Sequence, residues 1–303
     1  MQPSGKRVKA LLISVHYGDT QPTLELLRCL SRMDHLSEWN VLIVNNEAAG
    51  CSRTELREAI AALPNSELYE PTGNLGYFGG AQAGLDRFLE QVGELPDWVI
   101  VCNHDVLIED PEFFEKLFRL DPYSAGVIAP RIRVSGTNLD QNPFMRRRPN
   151  WLRWASLRFI YSNYGLAAFW HWLSRQKQAL RSHWSARRSK TASIQNGRRE
   201  FIYAPHGALF IFSRRYFEAG GYLDGNLFLY GEEISVAEIC RSLGLPVIYE
   251  PSLCVLHNEH HSTGGVISRF SFECQKNALR YVNSRYRNAS PHPLGSCHTD
   301  SAP

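Results

Sequence analysis

The stretch VIVCNHDVLIED, residues 99–110, runs through four apolar residues, stops at Asn103, His104 and Asp105, and then resumes. An apolar run of that length with no polar alternation reads as a strand buried in a parallel sheet. Open parallel sheets hold their ligands in crevices beyond the carboxyl ends of the strands. The polar triplet at the end of this strand therefore marks a candidate site, with Asp105 as its one carboxylate. On its own, an Asp in this position also suits a turn or a helix cap.

The sequence on either side repeats the pattern. VKALLISV (8–15) precedes a helix-like segment led by Pro22, with Leu24, Leu27 and Leu30 at helical spacing. NVLIV (40–44), a helix over 53–63 and a short strand over 66–70 follow, then GGAQAGLDRFLEQV (79–92) as a helix leading into the strand at 97–102. Strands and helices alternating in this way predict βαβ units, an α/β class and a mostly parallel central sheet flanked by helices. Beyond residue 200, a helix is expected over 232–244, ended by Gly244 and Pro246, with a strand over 246–250. The division expected is a ligand-binding half over 6–135, a basic aromatic helical insertion over 140–199, a second half over 200–288 and a disordered tail over 289–303.

With 303 residues, of which 44% are hydrophobic and 12% aromatic, the chain can build a large core. Its seven scattered cysteines contain no C-x-x-C pair, which argues against a disulfide framework or a structural zinc site and fits a reducing, cytoplasmic setting. Met1–Lys9 is polar and leads straight into a strand, so no secretion signal is expected. The net charge of +3 hides an asymmetry: residues 146–199 hold thirteen Lys and Arg, no Asp or Glu, and five of the seven tryptophans. The uncharged run 159–173 is shorter than the ~20 residues a bilayer span needs. A monotopic attachment to an anionic membrane surface is the preferred reading of this segment. Nucleic-acid binding and packing against the protein itself are its rivals.

PTGNLGYFGGAQAGL (71–85) has five glycines, and Gly79 and Gly80 are expected to open a helix whose amides could approach an anion. It is neither a dinucleotide fingerprint nor a P-loop, which excludes the commonest dehydrogenase and NTPase readings.

Six blocks then carry a resemblance: ALLISVHYGD (10–19), VLIVNNEA (41–48), GNLGYFGGAQAGL (73–85), VIVCNHDV (99–106), the long block 205–244 containing GGYLDGNLFLYGEE, and YEPSLCVLHNEHHSTGG (249–265). Their order resembles that of the inverting family-2 glycosyltransferases of GT-A fold, and in particular the rhamnosyltransferase-like enzymes of bacterial surface polysaccharide synthesis. The resemblance covers roughly residues 8–285 apart from the basic segment. It implies a Rossmann-like nucleotide half, an acceptor half, and transfer of rhamnose or a hexose from a UDP- or dTDP-linked sugar to a membrane-linked glycan of the O-antigen or capsule kind. It implies a location on the inner face of the cytoplasmic membrane. Asp105 would hold Mn2+ or Mg2+, with His257 completing the metal site in competition with His260 and His261. Donor binding would fall to Tyr17, Asn45, Asn46, Asn74, Gly76, Gly79, Gly80 and Asn103. Glu233 would be the catalytic base, with Glu232 beside it and Asp224 shaping the acceptor side. Asn45–Asn46 stands where the family usually has Asp, Glu233 where it has the shorter Asp, and Ser235 where a second Asp is common. A non-catalytic nucleotide- or glycan-binding relative and a nucleic-acid-binding protein using 146–199 are the alternatives.

Overall fold

The computed structural model describes residues 7–34, 36–47, 53–136, 139–174, 176, 197–258 and 267–286. The expected tail over 289–303, most of 175–196, and His260 and His261 lie outside the described residues. Four strands form the first half: β1 (Ala10–His16), β2 (Trp39–Asn45), β3 (Ser66–Tyr69) and β4 (Trp98–Asn103). They are joined through α1 (Thr20–Leu30), α2 (Arg53–Ala61) and α3 (Tyr77–Val92). All are parallel, in the spatial order β3-β2-β1-β4. Their side chains alternate between two buried faces: Leu12, Ile43 and Ile100 belong to one core cluster, and Ile13, Leu42 and Val101 to the other. A sheet covered on both sides explains why these strands read as unbroken apolar runs. At Gly84 an added Cβ would lie 2.9 Å from both Leu42 and Val44, so this glycine lets α3 lie close on the sheet.

The next elements are β5 (Val106–Leu107), α4 (Phe113–Phe118), β6 (Val127–Val134), α5 (Trp151–Ile160) and α6 (164–174 of the described residues). They are followed by β7 (Glu200–Ile202), β8 (Leu209–Ser213), α7 (Arg214–Glu218), α8 (Glu232–Ser242), β9 (Val247–His257) and α9 (Arg269–Tyr286). The sheet continues from β4 as β8-β6-β9-β5, with β7 on β9. β8 runs antiparallel to both β4 and β6, so the parallel pattern of the first half gives way to mixed pairing in the second. β9 is much longer than the 246–250 strand expected: its register breaks opposite Pro130/Arg131 and resumes, carrying it on to pair His257 with Val106 of β5.

The basic insertion is anchored at its base and open beyond it. Arg148 makes a two-pronged ion pair to Glu238 of α8, at 2.6 and 3.1 Å, and Tyr203 and Arg241 donate to the same carboxylate. Tyr161 stacks on Phe272 of α9, and the Tyr164 hydroxyl donates to the carbonyl of Ile267. Helix α5 itself buries no residue completely. Trp151, Leu152 and Phe159 are more than half exposed, as are Phe169 and Trp172 on α6.

Candidate active site

β2 and β3 lie to one side of β1 and β4 lies to the other. The chain thus reverses its direction of travel across the sheet between β1 and β4, which is where a doubly wound sheet opens a crevice. The carboxyl ends of these two strands deliver Tyr17 and the Asn103–His104–Asp105 triplet to one cavity of about 470 Å³. Asn46, Asn74, Gly76, Tyr77, His206, Glu232 and Glu233 also line it. The two acids singled out from distant parts of the sequence, Asp105 and Glu233, thus share a single cleft.

Pairing of β5 with β9 sets Asp105 against His257, and the Asn258 amide donates to the Asp105 carbonyl at 2.9 Å. His257 Nε2 faces Asp105 Oδ1 at 3.3 Å. On its other side, His257 Nδ1 lies 2.8 Å from Gln141 Oε1. Gln141 thus orients the ring and leaves Nε2 facing Asp105. Burial would raise the Asp105 carboxyl, but the His257 imidazole outweighs it, with His104 adding to the effect, and holds it below the ordinary carboxylate range. Two donors on a cation with bonds of about 2.1 Å and near-right-angle spacing stand roughly 3 Å apart, so the pair fits two adjacent positions of a Mg2+ or Mn2+ shell. No cluster of three or more metal-binding side chains occurs among the described residues. A hard cation bound by one or two side chains and completed by phosphate oxygens and water requires none.

The acid pair is set by a strained turn. Tyr230 has φ +71° and Gly231 φ +91°, and α8 starts directly after them. A tyrosine in the left-handed region is costly and is held only where the surroundings demand it. Glu232 is 4% exposed and its Oε1 has no hydrogen-bond partner. Burial, reinforced by the charge of Glu233, pushes its carboxyl up to about 8. Burial also raises Glu233, but its own amide and those of Gly207 and Gly231 donate to the carboxylate and work against that. Both acids are thus raised by burial, Glu232 further by the charge of Glu233, the arrangement in which two neighbouring acids share one negative charge.

A pH effect follows. The folded chain keeps a proton on Glu232 up to about pH 8, whereas the unfolded chain releases it near 4.5. The contribution of this acid to stability is therefore full below pH 4.5 and declines as pH rises toward 8. Glu232→Gln cannot ionise and is expected to melt higher than the parent at pH 8, by an equivalent on the order of 3–5 kcal/mol, the gap closing toward pH 5. Parallel melting curves for the two proteins across pH 5–8 would remove this assignment.

The glycine loop differs from the sequence reading. Helix α3 begins at Tyr77, with Gly76 as its N-cap at φ +75°. Gly76 is the glycine at the cleft: a Cβ there would fall 2.3 Å from the Phe228 carbonyl oxygen, and the Tyr77 amide donates to that same oxygen. Gly79 and Gly80 sit inside the helix and serve packing; a Cβ on Gly80 would press on Asn46 and Val15, and one on Gly79 would press on Leu75. Neither lines the cavity. Asn45 also turns away, toward Glu70 and the Glu47 amide. Asn46 donates to the Gly76 carbonyl at 2.7 Å while its Oδ1 is buried without a partner.

Asp224 is placed differently from its expected role. It is 1% exposed and accepts from the hydroxyls of Tyr281 and Tyr286 and the Asn226 amide, with Ser235 at 3.4 Å. These contacts tie α9 to α8 and leave it no part of the cleft, because so fully hydrogen-bonded a carboxylate has no capacity for substrate. Conversely, sequence reasoning missed three groups. Tyr77 brings a fully buried hydroxyl without a partner. His206, lowered to about 4 by burial and by His257, accepts the Ala208 amide on Nδ1. Gln141 orients His257. The PHG of the block 205–244 was a visible signal for His206; Tyr77 and Gln141 had none.

No protein-family profile matches the chain. An N-acetylglucosaminyl-diphospho-decaprenol L-rhamnosyltransferase of Mycobacterium tuberculosis is 26% identical over 238 residues, covering 74% of this chain and 68% of that protein. Among solved structures, S. aureus TarS 1-349 in complex with UDP-GlcNAc matches with a TM-score of 0.56 at 13% identity, over 94% of this chain and 68% of that one. GalNAc-T7 with UDP, GalNAc and Mn2+ matches with a TM-score of 0.56 at 12% identity, over 92% of this chain and 49% of that one. The chain has the GT-A fold of the glycosyltransferases, and its sequence is similar to that of a rhamnosyltransferase.

Proposed function

We propose that the protein is an inverting glycosyltransferase that moves a sugar, rhamnose or a hexose, from a nucleoside-diphosphate donor to a lipid-linked glycan during surface polysaccharide synthesis. The observation carrying this reading is the convergence of Asp105 and Glu233 on one cleft at the β1/β4 crossover. The residues over 6–135 hold the donor and those over 200–288 supply the acceptor side. Among the described residues no Lys or Arg lines that cleft, while three acidic side chains do, Asp105 and Glu233 as the charged ones in this reading. A diphosphate would be repelled from such a wall without a cation, and Asp105 with His257 is the pair that fits one. A bound Mn2+ or Mg2+ would neutralise the charge of the departing nucleoside diphosphate.

The remaining chemistry belongs to the chain. Asn46 Oδ1 and the Tyr77 hydroxyl are buried in the cleft wall without partners, and ligand groups can satisfy both. Glu233, braced by the Gly207 amide, takes the proton of the acceptor hydroxyl as that oxygen attacks the anomeric carbon. Attack on the face opposite the leaving group inverts the centre. Glu232, protonated beside it, keeps the base as a single negative charge. For attachment to the membrane, the support is the exposed Trp151, Leu152, Phe159, Phe169 and Trp172 beside Arg153 and Arg158, a composition suited to the headgroup layer. None of the described helices is long and apolar enough to cross a membrane. We place the protein on the inner face of the cytoplasmic membrane.

The test is a thermal-shift series with UDP, dTDP, GDP and their sugars, each with Mn2+, Mg2+ or EDTA. At 100 times its Kd, one donor should stabilise the fold by about 2.7 kcal/mol, and only with the metal present. No shift with any nucleotide would remove the proposal.

A further inference from the structure

A second cavity, about 480 Å³, opens from the donor cleft and shares Tyr230 and Glu233 with it. It lies between α5, α8 and α9, with Met145, Trp154, Leu157, Ile234, Leu279 and Val282 in its walls. Polar groups of the same wall are engaged with one another: the Tyr161 hydroxyl bonds His171 Nε2 at 2.9 Å and also Gln275. A neighbouring pocket continues it, sharing Trp154, Ile234 and Val282 and adding Arg158. Among the described residues, Arg158 makes no ion pair, unlike Arg148, which is committed to Glu238.

We infer that this groove seats the isoprenoid diphosphate of the acceptor, deepening the functional reading above, on which it rests. Three features select that occupant. The groove runs into the cleft at the base itself, so a molecule lying in it delivers its head to Glu233. Its wall is largely apolar, and Arg158, which lines the adjoining pocket, complements a diphosphate. The exposed Trp151 of α5 lines the adjoining pocket, where a chain leaving the membrane would first be met. A peptide would bring backbone N–H and C=O groups that such a wall leaves without partners.

Farnesyl diphosphate is the probe, added to the full chain and followed by tryptophan fluorescence, with inorganic diphosphate, farnesol and anionic phosphatidylglycerol vesicles as separate arms. Farnesyl diphosphate is expected to bind at least tenfold more tightly than inorganic diphosphate or farnesol. Leu157→Gln should weaken it at least tenfold, and Arg158→Glu should weaken it similarly without affecting farnesol. Leu157→Trp fills the groove while remaining apolar; it should show the same loss and separates blockage from misfolding if the glutamine variant melts early. Equal affinity in the parent and both Leu157 variants overturns the assignment, as does binding of vesicles alone, or self-association that Leu157→Gln abolishes. The two readings part cleanly: donor-induced stabilisation without farnesyl diphosphate binding sinks the groove alone, and the reverse sinks the transferase alone.

Discussion

Glu233→Gln is expected to lower kcat by about 10²–10⁴-fold, the usual contribution of a positioned general base, while the nucleotide sugar still binds. The amide is isosteric and can still meet the Gly207 amide, so the cleft keeps its shape while losing the proton acceptor. Because the lost interaction acts only as the acceptor hydroxyl attacks, kcat and kcat/KM should fall together. Glu232→Gln is the internal comparison: a side chain already protonated at neutral pH loses little by becoming an amide, so this variant should keep most of its turnover. Near-parental rates for Glu233→Gln, or a larger defect from Glu232→Gln, would transfer the role of base to another residue.

Asp105→Ala is expected to remove the metal-dependent part of donor binding. Outer-shell changes alone cost metal sites about 10–100-fold in affinity, so deleting a direct ligand should exceed about 100-fold. The measurement is donor affinity with Mn2+ or Mg2+ in the variant, set beside the parent in EDTA; the two should coincide. Donor affinity that is the same in parent and variant, and indifferent to the chelator, would detach the cation from this position. The bond from the Asn258 amide to the backbone carbonyl of residue 105 survives the change, so the pairing of this segment with β9 should hold.

Much of the first half was legible in the sequence because its signals are local. The apolar runs of β1, β2 and β4 report burial on both faces, and the strand end at Asn103 reports the crevice, since both follow from how a parallel sheet is covered. What escaped was set by distant partners. Nothing in LFIFS (209–213) states that it pairs antiparallel with β4, and nothing in Asp224 shows that two tyrosines some sixty residues later will occupy its oxygens. The start of α3 shifted for a similar reason: Gly76 must be glycine because Phe228, from the other half, passes over it. Gln141 became visible only when the bulge in β9 brought His257 beside it.

A Cβ on residue 207 would lie 2.7 Å from Glu233 Oε1, so the bare backbone there is the room that the longer acid occupies. The two positions are sterically coupled: shortening the acid to aspartate withdraws the carboxylate and frees space for alanine at 207, whereas alanine under glutamate forces the head group aside. Alanine at 207 is therefore expected only in chains whose acid at 233 is the shorter aspartate, whereas glycine accommodates either length.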